Sequence, residues 1–277
     1  MEHLQDTNFI PVMTIAGFDN SGGAGIAADL KTFMAFSCYG LSAVAAITAQ
    51  NNVSFSTYEP VSSSLLYEQI KMSVRQSTPL STKTGMLATP ENIEAVCNAI
   101  KEFNLKNIFV DPVLKSSTGS KLISENYLIT LKNKLIPLAF AVTPNKIEAE
   151  HLSGIKIESY EDVQKSAKII FEMGSQNVII KGGHMDFDQN ESIDMLYNGK
   201  TFVNFSNKKL ASASFHGTGC TFSAALCSCL ARDFNIENAI KYSKRYTLQT
   251  MVEQLTNTPK SILNHNVQIN ATELSTP

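Results

Sequence analysis

The sequence predicts an α/β fold of three layers, a mostly parallel sheet covered by helices on both faces. Three observations carry this. Short strand-like runs alternate with helical patterns along almost the whole chain, as expected when parallel strands are joined by crossover helices. With 277 residues, 43% of them hydrophobic, the chain can bury more than about two-thirds of its unfolded surface in one core. No linker, repeat or low-complexity tract divides it, so residues 1–277 are expected to form one domain.

The elements follow in order from hydrophobic periodicity. A strand at 12–16 leads through a glycine-rich loop into a helix at 24–36, whose Ile26, Leu30, Phe33 and Met34 share a face. A strand at 42–49 ends in Ala49-Gln50-Asn51 and is followed by a helix at 64–76. The unit repeats as strand 82–87 with helix 90–103, strand 107–110 with helix 125–135, and strand 139–142 with helices 147–152 and 161–173. A strand at 177–181 closes the series. After Gly183 two alternating runs, 192–197 and 201–205, flank Asn198-Gly199. Asn-Gly between alternating runs predicts a β-hairpin in the C-terminal part of the chain. Helices at 220–232 and 237–255 complete the fold, and a tail at 270–277 is expected to fray.

Composition excludes several classes of function. The net charge is −2 and there is no basic stripe interleaved with aromatics, which argues against a nucleic-acid partner. Apolar runs break off well before the roughly 18 residues of a membrane span. Five cysteines, Cys38, Cys97, Cys220, Cys227 and Cys229, stand at no metal-like spacing, and residues 1–6 lack the basic and apolar regions of a signal peptide. A cytoplasmic protein acting on a small molecule is expected.

The most informative stretch is His216-Gly217-Thr218-Gly219-Cys220-Thr221-Phe222. Two glycines stand where a helix begins, with Phe222, Ala225, Leu226, Cys229 and Leu230 predicted to bury one face. Its orphan N–H groups and macrodipole would receive a phosphate. A cysteine in that first turn is expected to have its thiol pKa lowered from about 8.5, making Cys220 a candidate base. The plainer alternative is a glycine-rich loop entering a core helix with a small buried cysteine.

In an open α/β sheet, ligands bind beyond the carboxyl ends of the strands. The first strand ends in Gly17-Phe18-Asp19-Asn20-Ser21-Gly22-Gly23-Ala24-Gly25, whose glycines fit neither a dinucleotide fingerprint nor a Walker A loop. Other strand ends carry Lys83-Thr84-Gly85-Met86, Asp111-Pro112-Val113, Thr143-Pro144-Asn145-Lys146-Ile147-Glu148 and Lys181-Gly182-Gly183-His184. Asp111, Asn145 and Glu148 could serve magnesium directly or through water, and Lys181 could place a charge on a transferring phosphate. Asn145 and Glu148 equally suit a helix start. Taken together with the anion hole, these residues suggest phosphoryl transfer, a chemistry of positioning and charge neutralisation.

From Val12 to Leu230 the ordered set of these motifs resembles the ribokinase superfamily, and within it the vitamin B6 and thiamin-pyrimidine kinase branch. The resemblance implies a ribokinase-like α/β/α sandwich, commonly a homodimer. It also implies an ATP- and magnesium-dependent kinase for 4-amino-5-hydroxymethyl-2-methylpyrimidine and its monophosphate. By the same resemblance, Gly17, Asp19, Ala24, Gln50, Met86, Val113 and Cys220 would surround the pyrimidine. Asp111, Asn145, Glu148, Lys181 and Thr218 would serve the magnesium-triphosphate end, and Gly217, Thr218 and Gly219 would form the anion hole. Gln50 offers both a donor and an acceptor to an aminopyrimidine edge. Asp29 matches a position expected to serve helix and dimer structure. Pyridoxal or pyridoxine phosphorylation is the alternative activity, although Thr218 stands where B6-preferring relatives often have Ala. A non-catalytic ligand-binding paralogue is a third reading. Phe18 and Asn20 stand where the family usually has Ser or Thr and then Pro, and the flap at 114–119 and the closure at 259–265 also depart from the pattern.

Overall fold

The structure is a computed structural model that describes residues 9–114, 124–183, 185, 190–210, 215–254 and 262–267. The predicted tail and most of the predicted flap lie outside these residues.

One nine-stranded sheet runs in the order β3-β2-β1-β4-β5-β6-β7-β8-β9. Its centre is parallel: β2 (Tyr39–Gln50), β1 (Pro11–Asp19), β4 (Ser81–Thr84), β5 (Ile108–Val110), β6 (Ala141–Val142) and β7 (Val178–Ile180). Antiparallel strands close both edges, β3 (Phe55–Pro60) at one and the hairpin β8 (Glu191–Tyr197) and β9 (Phe202–Lys208) at the other. The Asn198-Gly199 hairpin is therefore found as expected, and it widens the sheet before the two helices expected after it.

Successive strand residues point to opposite faces, and this alternation divides the interior into two cores. Met13, Ile15, Ile108, Val110, Val142, Val178 and Ile180 pack under α2 (Ser63–Gln76), α3 (Pro90–Glu102), α5 (Lys146–Ser153) and α6 (Tyr160–Glu172). Val12, Phe109, Ala141 and Ile179 face the other way, under α1 (Gly25–Ala35), α7 (Thr218–Ala231) and α8 (Ile236–Val252). The predicted three layers follow directly.

Four local expectations need correction. Strand β3 is missed by periodicity because it is an edge strand whose residues are all half-buried or exposed, so no apolar alternation marks it. Strand β4 stops at Thr84 because its pairing with both neighbours ends there, opposite Ile15 of β1 and Val110 at the end of β5. The helix expected at 125–135 is regular only over α4 (Glu125–Thr130), and a wide turn (Leu131–Leu135) and a tight one (Ile136–Leu138) follow. Pro137, which has no N–H to donate, stands in that last turn. Helix α7 does not bury one face; Thr221 through Cys229 are all buried, because small Ala, Ser and Cys side chains let it sit between the sheet, α1 and α8.

Asp29 is also reassigned. It is wholly buried inside the chain, with Lys83 Nζ at 2.7 and 2.8 Å from its two oxygens and Thr14 Oγ1 donating at 2.6 Å, so it cannot lie on a dimer surface. Burial disfavours the Lys83 ammonium, but the Asp29 carboxylate outweighs it and raises the lysine above its ordinary value. Removing one partner of such a pair leaves an unpaired buried charge. Lys83→Met should therefore cost about 3–5 kcal/mol of stability in urea unfolding, and the double variant Asp29→Leu/Lys83→Met should recover most of it. A single variant as stable as the parent would show that the pair is not holding α1 to the sheet.

Candidate active site

At the carboxyl ends of the parallel strands opens a cavity of about 750 Å³. All fourteen residues expected at the site line it: Gly17, Asp19, Ala24, Gln50, Met86, Asp111, Val113, Asn145, Glu148, Lys181, Gly217, Thr218, Gly219 and Cys220.

Two loops meet in its wall backbone to backbone. Gly25 (φ +53) has its α-carbon against the Gly17 carbonyl, and Gly217 (φ +86) against the Gly23 carbonyl; a Cβ on either would collide. Asp19 fastens them together. Its Oδ1 accepts from Ser21 N–H and Ser21 Oγ, and its Oδ2 accepts from Ala24 N–H and lies against His216 Nε2, each at 2.8 Å. Asp19 is 1% exposed, and it holds the first loop against the segment that leads into α7. His216 is the partner that the sequence reading left without a role.

Helix α7 begins at Thr218 after Gly217, which supplies no side-chain cap. Thr221 N–H is the one that bonds the Gly217 carbonyl, at 2.9 Å; the N–H groups of Thr218, Gly219 and Cys220 precede it and end the helix at the cavity. The positive end of the helix dipole therefore faces the cavity.

Beneath this turn lies a cluster of charges. Lys181 Nζ is 2.8 Å from Asp111 Oδ1 and 4.0 Å from Glu148 Oε2. A Cβ on Gly219 would sit 3.2 Å from the same ammonium, so glycine lets α7 approach it. Asp111 also accepts from Ser223 Oγ on α7 at 3.2 Å and from Thr143 Oγ1 at 3.3 Å. Burial alone would raise the Asp111 carboxyl, but Lys181 and Lys83 hold it below the ordinary value. Burial likewise acts to lower Lys181, and Asp111 and Glu148 more than restore it. Glu148, buried and close to Asp111, is pushed up to about 7. Asn145 and Glu148 form a capping box at the start of α5: Asn145 Oδ1 accepts Glu148 N–H at 3.0 Å, and Glu148 Oε2 accepts Asn145 N–H at 2.7 Å. The helix-start role is thus real, and it also aims the Glu148 carboxylate at Lys181.

The expected lowering of the Cys220 thiol pKa is overturned. Burial pushes its thiol up to about 11 against the opposing pull of Lys83, with Asp29 and Asp111 adding to the rise. The field at the helix start does not prevail over this rise.

Sequence reasoning missed the far side of the cavity. There Asp194 joins Lys244 of α8 at 2.8 Å and accepts Gly182 N–H at 2.7 Å, beside Leu248 and Met251. Nothing in the local pattern separates Lys244 from a surface lysine; only the fold brings it to Asp194. Among the described residues, no three His, Cys, Asp or Glu side chains cluster as a ready-made metal site. His184 lies outside the described residues.

A helix start and a buried lysine–aspartate pair at the strand ends of a ribokinase-like α/β/α sheet define a phosphotransferase. Comparison with known proteins supports this class and narrows it. The profile of the phosphomethylpyrimidine kinase family matches residues 19–264. A hydroxymethylpyrimidine/phosphomethylpyrimidine kinase of Bacillus subtilis is 39% identical over 243 residues, 88% of this chain and 89% of that one. Among solved structures, phosphomethylpyrimidine kinase from Clostridium difficile superposes with a TM-score of 0.77 at 38% identity, over 87% of this chain and 98% of that one. Pyridoxal kinase from Staphylococcus aureus, in complex with AMP-PCP and pyridoxal, gives 0.84 at 34% identity over 93% of each chain. The chain belongs to the phosphomethylpyrimidine kinase family.

The state of the Cys220 thiol can be checked by alkylation. Its reaction with iodoacetamide should be slow at neutral pH and keep rising with pH up to about 11, because only the thiolate reacts. A rate that levels off below pH 8 would mean that the helix start does lower the pKa.

Proposed function

We propose that this kinase transfers the γ-phosphate of ATP to the hydroxymethyl group of 4-amino-5-hydroxymethyl-2-methylpyrimidine, and then phosphorylates the monophosphate, in thiamin biosynthesis. The observation that carries this reading is the position of the α7 start and Lys181 between two unlike ends of one cavity. Gln50 and Met86 line one end, and Leu248 and Met251 of α8 line the other. The polar amide of Gln50 suits an aminopyrimidine edge, and the apolar side chains of α8 suit the base of a nucleotide.

The residues fit magnesium. The cation takes one or two carboxylates and completes its shell with phosphate oxygens and water, and Asp111 and Glu148 are two carboxylates converging on one lysine. These two would hold it, with Asn145 orienting Glu148 through the capping box, and the ion would neutralise charge on the phosphate oxygens. The backbone N–H groups of Thr218, Gly219 and Cys220 receive the charge that develops on the transferred group, and Lys181 follows it across. In a loose transition state little bond to the hydroxyl oxygen has formed, so its proton can pass late to an oxygen of the transferred phosphate as ADP departs, and no thiolate at Cys220 is required. A homodimer and a cytoplasmic location complete the proposal; the five free cysteines suit a reducing compartment.

Phosphorylation of pyridoxal is the second reading, favoured by the higher TM-score of the pyridoxal kinase, 0.84 against 0.77. A coupled assay with ATP against the pyrimidine, its monophosphate, pyridoxal and pyridoxine separates the two. The pyrimidine and its monophosphate should give the highest kcat/KM, and turnover of B6 vitamers alone would reverse the assignment. Lys181→Gln, which keeps a donor and removes the charge, should lower kcat at least about 100-fold with little change in pyrimidine affinity. Full turnover in that variant would remove Lys181 from the chemistry.

A further inference from the structure

The loop in which this sequence departs from its family, Phe18 to Asn20, holds the backbone of Gln50 directly and its side chain through Thr48. Gln50 N–H donates to Asn20 Oδ1 at 2.8 Å. Thr48, two residues earlier on β2 and 5% exposed, donates its hydroxyl to the Phe18 carbonyl at 2.9 Å, and its Oγ1 lies 2.9 Å from Gln50 Nε2.

These contacts fix a choice that geometry alone leaves open. An amide can sit either way round, and the hydrogen-bond network decides which. A carbonyl can only accept, so the single Thr48 hydroxyl proton is committed to Phe18. Oγ1 then offers Gln50 only lone pairs, and the amide must present its N–H to it. The opposite orientation would set Oε1 against Oγ1, oxygen to oxygen with no proton between. Oε1 and the remaining N–H of Nε2 are left for a ligand.

Resting on the reading of the acceptor as an aminopyrimidine, we propose that Thr48 is a positioning residue that locks the Gln50 amide and so makes the site select a 4-amino ring edge over a 4-oxo one. A 4-aminopyrimidine offers an N–H donor beside the N3 acceptor, which the locked amide matches with Oε1 and N–H. A 4-oxo ring offers the reverse, an acceptor oxygen beside N3–H, and needs the amide turned over. Thr48 withholds that turn although it donates nothing to the ligand itself.

The test compares kcat/KM for 4-amino-5-hydroxymethyl-2-methylpyrimidine and its 4-oxo analogue in the parent enzyme, Thr48→Val and Thr48→Ser, with KM for ATP measured alongside. Loss of the lock should lower the 4-amino over 4-oxo preference about tenfold in Thr48→Val, the effect of one hydrogen bond. The change should appear in KM for the pyrimidine with KM for ATP unmoved, and Thr48→Ser should restore the preference. Thr48→Ala replaces the valine variant if that one does not fold. An unchanged preference, or a parallel loss toward ATP and both pyrimidines, overturns the assignment while leaving the functional reading intact. A parent enzyme that phosphorylates B6 vitamers and neither pyrimidine overturns the functional reading and this assignment together.

Discussion

Asp111 and Lys181 meet at 2.8 Å under the first turn of α7, with side chains 2% and 14% exposed, and neither charge would be stable there alone. Pairing two buried ions roughly balances the cost of removing them from water and stabilises the fold little. The placement has a chemical use. Lys181 keeps its positive charge because Asp111 and Glu148 face it, and Asp111 stays ionised because Lys181 and Lys83 outweigh its burial. Lys83 is in turn held by Asp29. Alternating charges thus run from the interior of α1 to the cavity, so that a polyanion arrives at groups already charged and oriented.

The glycines make this arrangement possible by bringing backbone up to backbone. Gly219 lets α7 approach the Lys181 ammonium, and Gly217 lets the α7 start touch the loop after β1. Asp19 then ties that loop to His216. The loop after β1 and the start of α7 are consequently parts of one wall of the cavity. A shift in the loop at 19–25 would be felt at the start of α7, and phosphoryl transfer tolerates little misplacement.

Much of this was legible in the sequence because its signals are local. Strand periods, the Asn198-Gly199 turn and the glycines around Thr218 each declare themselves within a few residues, and the strand-end rule gathered Asp111, Asn145, Glu148 and Lys181 before any coordinates. What failed was non-local. The Cys220 thiol was expected to follow its own helix, but burial in the assembled pocket governs it. The fate of Asp29 depends on Lys83, 54 residues away, and no window of sequence joins them. Likewise, Lys244 is ordinary in α8 until the hairpin brings Asp194 to it. Strand β3 was lost for the opposite reason, since an exposed edge leaves no apolar pattern to read.

The account is tested most directly by the crystal structure of a ternary complex with the pyrimidine, magnesium and a non-hydrolysable ATP analogue. It predicts the γ-phosphate within hydrogen-bonding distance of the Thr218, Gly219 and Cys220 N–H groups and of Lys181 Nζ, with the hydroxymethyl oxygen on the side of Gln50. A triphosphate lying away from the start of α7, with Lys181 still closed on Asp111 alone, would contradict it.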